Sequence, residues 1–476
     1  MKRAALLCLL LITPAIACAA AEQPELETVV IDGETYTLVP NSLMRAWGFD
    51  VPEIPREKNA AYVYFEAMRA HAGLERGTEL GKLRDKVLQD GWTRDSEPLE
   101  QYLEDNAKAL ELVERAAGMP ACYFPPCSIA GSTLEDIVEA PPAFSLCMLE
   151  PVPQMRELGF LLVVRGRKLE FDDRPADALR VYLLVPRLGN HASRGPPLTG
   201  GLVGLAVNTM GMQAIEEYIA RHGLDDATLA QVQTQLSETS AQRPDLAWAI
   251  RCERALSEQL VEHIVRHPVS YFVRVRASGF WDRRGELLLA FVRFWVYLRT
   301  LDLTADEWRA MLRRDVRDYW GIVEEHLRMP LVECLKSDLD EQLENLTRSW
   351  RGTQPCKLSG LLVRAARSTR LAYGRADLHW TVLDIEFALA RYRAKHGAYP
   401  ETLDELKPFM LTDGIDPFSD RPLNYRLKQD GSFTIWSVGE NLVDDGGKLD
   451  DIGDLWEADD YVWNSRLIAE ARENDD

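Results

Sequence analysis

Between about Pro55 and Arg370 the apolar residues recur at steps of three and four, and this repeat commits most of the chain to helix. It is clearest over 60–74, 99–117, 154–171 and 176–187. Residues spaced this way share one face of a helix, so each stretch carries a stripe that another element must cover. Gly and Pro clusters separate the stretches: Pro125-Pro126, Pro141-Pro142, Gly195-Pro196-Pro197 and Gly200-Gly201. The stretches 154–171 and 176–187 are joined by Asp172-Asp173-Arg174-Pro175, which predicts a tight helical hairpin with Pro in the first turn of its second helix. The hairpin resembles one tetratricopeptide-like unit, although no 34-residue period runs through the chain. The Gly-rich Thr199–Gly204 lacks the Lys and the preceding strand of a phosphate loop. Its predicted role is to open a helix and let two helices pack closely. Leu287–Leu298, apolar except for Arg293, is too short to span a bilayer and reads as a buried central helix.

The N-terminus has the grammar of an export signal. Lys2 and Arg3 precede the apolar run Leu6–Ile12, Pro14 breaks it, and small residues follow through Ala21. Cleavage after Ala21 suits ordinary signal peptidase. Ala15-Ile16-Ala17-Cys18 also resembles a bacterial lipobox, which would make Cys18 a lipid anchor. No membrane span is expected in the mature chain. Loss of Lys2 and Arg3 leaves 53 basic side chains against 75 acidic ones, a surface that repels phosphate backbones and excludes nucleic acid as a partner. Six cysteines remain beyond the leader: Cys122, Cys127, Cys147, Cys252, Cys334 and Cys356. An even number in an exported chain is compatible with disulfides, Cys122–Cys127 being the easiest local closure. Residues 28–39 read as a β-hairpin turning at Asp32-Gly33 and packing on the helices.

Catalytic motifs are scarce. His263 and His267 stand four apart, but Ile264 occupies the place where a zincin needs its Glu, so two ordinary histidines are expected. The sequence has no Gly-x-Ser-x-Gly elbow.

The last hundred residues change character. Leu378, Val382, Ile385, Leu389 and Tyr392 form one stripe of a helix predicted from about Ala376 to Lys395. Gly397 suits its C-terminal cap, Pro400 forbids continuation, and Thr402-Leu-Asp-Glu405 is a capping box. Strands are predicted over Leu423–Leu427 and Phe433–Val438, turning at Gln429-Asp430-Gly431. Gly439–Asp454 then packs five aspartates into eleven residues among glycines. Such a cluster either splays into water or wraps a hard cation with oxygen ligands, and the spacing is not that of an EF-hand.

The order of these motifs resembles the soluble part of the major pseudopilins of type II secretion systems. His396-Gly397-Ala398-Tyr399-Pro400 ends the long helix, and Asp416-Pro417-Phe418-Ser419-Asp420-Arg421-Pro422 precedes a strand. Ile435-Trp436-Ser437-Val438-Gly439 leads into the acidic loop, and Asp451-Ile452-Gly453-Asp454-Leu455-Trp456 closes it. The likeness covers residues 377–456. It implies a calcium ion in the loop, with Asp450 and Asp451 matching the family's aspartates and Asn441 standing near a position where the family has Asp. Asp444 and Asp445 would supply the missing charge. The family's basic leader and polymerising apolar helix do not match. More than 350 residues precede the matching helix, and that helix carries Asp377, Asp384, Glu386, Arg391 and Arg393, so it cannot sit in lipid.

The expected protein is mainly α: a signal (1–21), a hairpin segment (22–54), a helical domain (55–370) and a small α+β pilin-like domain with a short antiparallel sheet (371–476). The expected role is that of a non-enzymatic exported scaffold contacting other envelope proteins, in the periplasm or envelope of a bacterium. One alternative is a secretion accessory docking on a pseudopilus. Another is a hydrolase whose acidic and histidine residues converge only in three dimensions; a deep cleft with convergent polar groups and displaced pKa values would favour it.

Overall fold

A computed structural model describes residues 26–31, 33–75, 77–128, 137, 151–195, 198–266, 304–348, 366–448 and 455–464. The leader with Cys18, Leu287–Leu298, Cys147, His267, Cys356, Asp450 and Asp451 lie outside the described residues.

The hairpin forms as predicted. Strands β1 (Thr28–Ile31) and β2 (Glu34–Thr37) pair antiparallel, Thr28 facing Thr37 and Ile31 facing Glu34. Gly33 at the turn has φ +81°, a conformation that favours glycine. Ile31 and Leu38 are buried in the helical core, which fastens the hairpin.

Helices α1 (Asn41–Ala46), α2 (Ala60–Ala70) and α3 (Glu79–Asp90) follow. The stretch predicted over 99–117 is two helices, α4 (Pro98–Asp105) and α5 (Ala107–Ala117). Between them stands buried Asn106. Its Nδ2 donates to the carbonyls of Ala72 at 3.1 Å and Tyr102 at 2.9 Å, and its Oδ1 accepts from the Ala72 N–H at 2.9 Å. These bonds tie the break to the end of α2.

Helix α6 (Pro151–Phe171) and helix α7 (Pro175–Tyr182) make the predicted hairpin, with Pro175 in the first turn of α7. Asp173 turns the chain at φ +57°, and the Arg174 N–H reaches back to the Leu169 carbonyl at 2.9 Å. The second predicted stretch also divides, α8 running from Leu184 to Ala192. Pro186 is the physical reason. In one unbroken helix its ring would strike the Tyr182 carbonyl, the residue at which α7 stops.

Helix α9 (Leu198–His222) is the centre of the helical layer and is opened by the Gly-rich stretch. By length and composition alone it is apolar enough to cross a membrane, as a core helix also can be, and Val207 and Ile215 are fully buried in protein. Its close approach to α8 needs glycine on both sides. A Cβ at Gly204 would stand 2.4 Å from the Gly189 carbonyl oxygen, and one at Gly189 would stand 2.6 Å from the Gly204 oxygen. The layer continues through α10 (Asp226–Ala241), α11 (Leu246–Arg266), α12 (Ala305–Leu327), α13 (Leu331–Lys336) and α14 (Leu339–Arg348).

Helix α15 (Ala366–His396) begins ten residues earlier than predicted and is shared between two cores. Leu378, Val382, Ile385 and Leu389 are buried against the C-terminal sheet, while Leu383 and Phe387 enter the helical core. The sequence boundary at 371 therefore falls inside one continuous helix. Gly397 caps it at φ +81°, and the capping box on Thr402 and Glu405 is formed. A short pairing of β3 (Ile415–Asp416) with β4 (Arg421–Pro422) precedes an antiparallel sheet in the order β5 (Asn424–Leu427), β6 (Phe433–Ser437), β7 (Tyr461–Asn464). Strand β7 was not predicted: four residues after an acidic stretch are too few for alternation to show. The protein is thus mainly α, a helical domain followed by a small α+β domain with a short antiparallel sheet.

The glycine seam has a measurable consequence. Gly204→Ala is expected to lower unfolding free energy by about 1–3 kcal/mol through overpacking. Gly321→Ala on α12, where a Cβ meets nothing within 4 Å, is expected to raise it by up to about 1 kcal/mol through helix propensity. Chemical denaturation of both variants checks the contrast.

Candidate functional site

The acidic loop leaves β6 through Gly439, whose φ is +64° and where a Cβ would stand 2.3 Å from the Asp459 carbonyl oxygen. Asn441 Oδ1 accepts from the Val443 N–H at 2.9 Å, and its Nδ2 faces Asp445 at 3.1 Å and Asp459 at 3.5 Å. Its amide thus ties together three parts of the loop. Asp444 Oδ1 accepts from Trp436 Nε1 at 2.9 Å and from the Gly446 N–H at 3.0 Å. Glu440 accepts from Tyr461 Oη at 3.0 Å and pairs with Arg375 of α15. The loop is thereby tied to both the sheet and the long helix.

Sequence reasoning missed Asp460, the residue before β7. It is 2% exposed; its Oδ2 accepts from the Gly447 N–H at 2.8 Å, and its Oδ1 is buried with no hydrogen-bond partner. Burial pushes its carboxyl above the ordinary aspartate range, the backbone N–H groups of Gly447 and Asp445 oppose that, and the carboxylates of Asp444 and Asp445 push it further up. A pairing signal was present only in the doublet Asp459-Asp460, outside the span that the glycines mark. Asp444, Asp445 and Asp460 thus come together. Among the described residues no group of three or more His, Cys, Asp or Glu is placed to hold a metal ion by itself. Oxygens on Asp450 and Asp451 would be needed to complete a set.

A second locus lies where α15 meets the helical layer. The charges on α15 that exclude it from lipid are here the seam between the two domains. Asp377 pairs with Arg243, and Arg391 pairs with Asp226 at 2.7 Å. Asp384 is fully buried. Its oxygens accept from the N–H groups of Leu411 and Thr412 at 2.9 and 2.8 Å, from Thr412 Oγ1 at 2.8 Å and from Gln233 Nε2 at 2.7 Å. A carboxylate so supplied with donors is a structural clip.

Beside this clip opens a cleft of about 1360 Å³ between α6, α9, α15 and the sheet. Phe160, Phe433, Trp456 and Trp463 are among its aromatic walls. Glu216 of α9 and His379 and Glu386 of α15 line it together. His379 is 4% exposed; its Nε2 is 2.7 Å from Glu216 Oε1 and its buried Nδ1 has no partner. Glu386 makes no hydrogen bond or ion pair among the described residues. Burial, and then the neighbouring Glu216 carboxylate, hold its acid well above the usual carboxylate range. In the sequence Glu386 stood out only as a charge that bars its helix from lipid, and Glu216 and His379 not at all, because their convergence depends on two helices more than 150 positions apart.

Among the described residues Cys122, Cys127, Cys252 and Cys334 are buried. Cys127 is held in an antiparallel bridge with Leu38, while Cys122 lies at the start of α2 beside the Ala61 N–H. His263 is on α11, and the pair it forms with His267 falls partly outside the described residues.

No family model matches the chain, and no curated protein or solved structure matches it significantly.

The state of Glu386 can be measured. Its acid is raised in the fold, so the native state holds a proton that the unfolded state has lost. Stability is then full below the ordinary carboxylate range and falls as pH rises through the raised value. Glu386→Gln mimics the neutral acid at every pH. Relative to wild type it is expected to gain up to about 1.4 kcal/mol per pH unit across that window and nothing below pH 4. Denaturant titrations between pH 4 and 8 check the slope.

Proposed function

We propose that this protein is an exported cell-envelope scaffold, whose helical layer meets other envelope proteins and whose pilin-like module is pinned by a calcium ion in the acidic loop. A secretion accessory docking on a pseudopilus is the same scaffold with a specified partner. The export part rests on the leader grammar of residues 1–21 and the pilin-like part on the four motifs between 377 and 456. The calcium part is carried by Asp460, whose buried Oδ1 has no donor and faces the charge of Asp444 and Asp445. Clustered carboxylates with an unsatisfied oxygen call for a positive ligand. Calcium suits flexible oxygen donors better than magnesium, which demands tight octahedral geometry, and zinc would want nitrogen or sulfur. In this reading Asp444, Asp445 and Asp460 join Asp450 and Asp451 as ligands, and Asn441 shapes the loop.

One observation favours a second reading, a hydrolase: the cleft holds a neutral-leaning Glu386 beside Glu216 and His379. A carboxyl held neutral by burial beside a second carboxyl can act as a general acid. Hydrolysis of ester, peptide or glycoside substrates by the wild type, lost in Glu386→Gln, would favour it over the scaffold.

The calcium reading is tested on the whole mature chain, because α15 buries side chains in both cores and a C-terminal fragment would expose Leu383 and Phe387. With free calcium at 100 times its dissociation constant, binding adds about 2.7 kcal/mol. The melting temperature is expected to rise by a few degrees in calcium over chelator, and by much less in magnesium. Asp460→Asn should remove the response, and should melt no lower than wild type in chelator, since it relieves repulsion there. Identical melting of wild type in calcium and chelator refutes the proposal.

A further inference from the structure

We propose that calcium in the acidic loop gates the cleft: the loaded loop holds Trp456, Val462 and Trp463 in place as its wall, and an uncharged apolar molecule then binds there. The inference rests on the calcium reading above and adds what the ion controls.

The chain itself connects the two places. On the side of the small domain the cleft is walled by Leu455 and Trp456, from the turn Leu455–Glu457, and by Val462 and Trp463 of β7. Strand β7 starts directly after Asp460. Three contacts carry the loop to this wall. Asp460 Oδ2 accepts from the Gly447 N–H at 2.8 Å. Asp444 Oδ1 accepts from Trp436 Nε1 at 2.9 Å, and Trp436 is the cross-strand partner of Val462. Glu440 pairs with Arg375, which donates to the Trp456 carbonyl at 3.1 Å and lies over the Trp456 ring. Strand β7 is four residues long and stands at the edge of its sheet, so one row of its backbone groups has no neighbouring strand and the loop contacts matter to its position.

The loop also holds charge that works against these contacts. Asp444, Asp445 and Asp460 come together, and the buried Oδ1 of Asp460 has no donor. Salt screens partly buried carboxylates little. Without a cation their repulsion bears on the residue that leads into β7. With a cation the same carboxylates draw the loop and the strand together. Two sites that bias one element in this way are coupled reciprocally, so a molecule in the cleft tightens calcium binding by the same factor.

The walls decide what binds. Val163, Ile219 and Leu383 of the helices line the space of about 1360 Å³ together with Phe433, Trp456 and Trp463. Ordinary small-molecule sites hold roughly 300–1,000 Å³ and are lined in the same way, so a body of two or three rings fits. A cation would meet Arg167, whose buried Nε and Nη1 have no partner, and an anion would meet Glu216 and Glu217. An uncharged molecule meets neither repulsion and still covers the apolar walls.

The test uses N-phenyl-1-naphthylamine, a dye that is uncharged at neutral pH and fluoresces in apolar surroundings. It is titrated into the mature chain in calcium and in chelator, and the same samples are melted. Dye binding is expected to be at least about fivefold tighter in calcium, and the dye should tighten calcium binding by the same factor. Asp460→Asn, which relieves the repulsion, should bind the dye in chelator about as tightly as calcium-loaded wild type does. Phe160→Ala, on the helical wall, should weaken dye binding in both conditions. Octan-1-ol should displace the dye better than octylamine or octanoate. If calcium raises the melting temperature but dye binding is equal in calcium and chelator, or absent in both, the gate is overturned and the calcium reading stands. If calcium leaves melting unchanged, that reading falls and the gate with it. Dye binding untouched by Phe160→Ala lies outside the cleft and overturns the proposal. Better displacement by either charged probe overturns the assignment of an uncharged ligand.

Discussion

The small α+β domain hangs on one helix that is buried on two sides. Helix α15 puts Leu378, Val382, Ile385 and Leu389 into the core of the small domain and Leu383 and Phe387 into the helical core. Between these faces lies Asp384, a carboxylate fully removed from water. Taking such a charge out of water costs several kcal/mol unless hydrogen bonds replace the hydration. Here the loop at Leu411 and Thr412 and the amide of Gln233 replace it. Gln233 also donates to the Phe409 carbonyl at 2.9 Å and accepts from Arg391 at 3.0 Å. The two domains therefore share a helix, a buried polar network and a loop, and their folding is coupled.

The same seam explains where chemistry is available. Along α15 the charges at 377, 384 and 391 each meet a partner from the helical domain, Arg243, Gln233 and Asp226 in turn. Glu386 does not, because the residue facing it from α9 is Glu216, another acid already engaged with His379. Satisfied polar groups hold the domains together; the unsatisfied one faces a cleft. Electrostatic frustration of this kind has a stability cost, and sites that retain it are where ligands find their gain.

A parallel contrast runs through the C-terminal loops. Asp416 is fully buried and served by the N–H of Phe418, by Ser419 and Ser437 and by the N–H of Val438, so it ties the β3 turn to the end of β6. Asp460, nearly as buried, keeps one oxygen without a donor. Two aspartates of similar burial differ in the neighbours that the fold brings to them, a difference invisible in local sequence.

Local features were legible because they depend on neighbours in the chain. The hairpin at Gly33, the capping box of Thr402 and Glu405, the cap at Gly397 and the turn at Gly431 are each set by φ preference or by a side chain reaching a backbone group a few residues away. The apolar stripes on α6 and α15 were legible for the same reason, since a helical period needs no knowledge of its partner. The acidic loop announced itself by composition. By itself, then, the sequence determined the helical class, the small α+β ending, most turns and the presence of a carboxylate cluster. Only the tertiary structure decided the second buried face of α15, the addition of β7 to the sheet, the role of Asn441 and the meeting of Glu216, His379 and Glu386. Those depend on which surfaces pack together, and packing joins residues such as 216 and 386 that no local pattern connects.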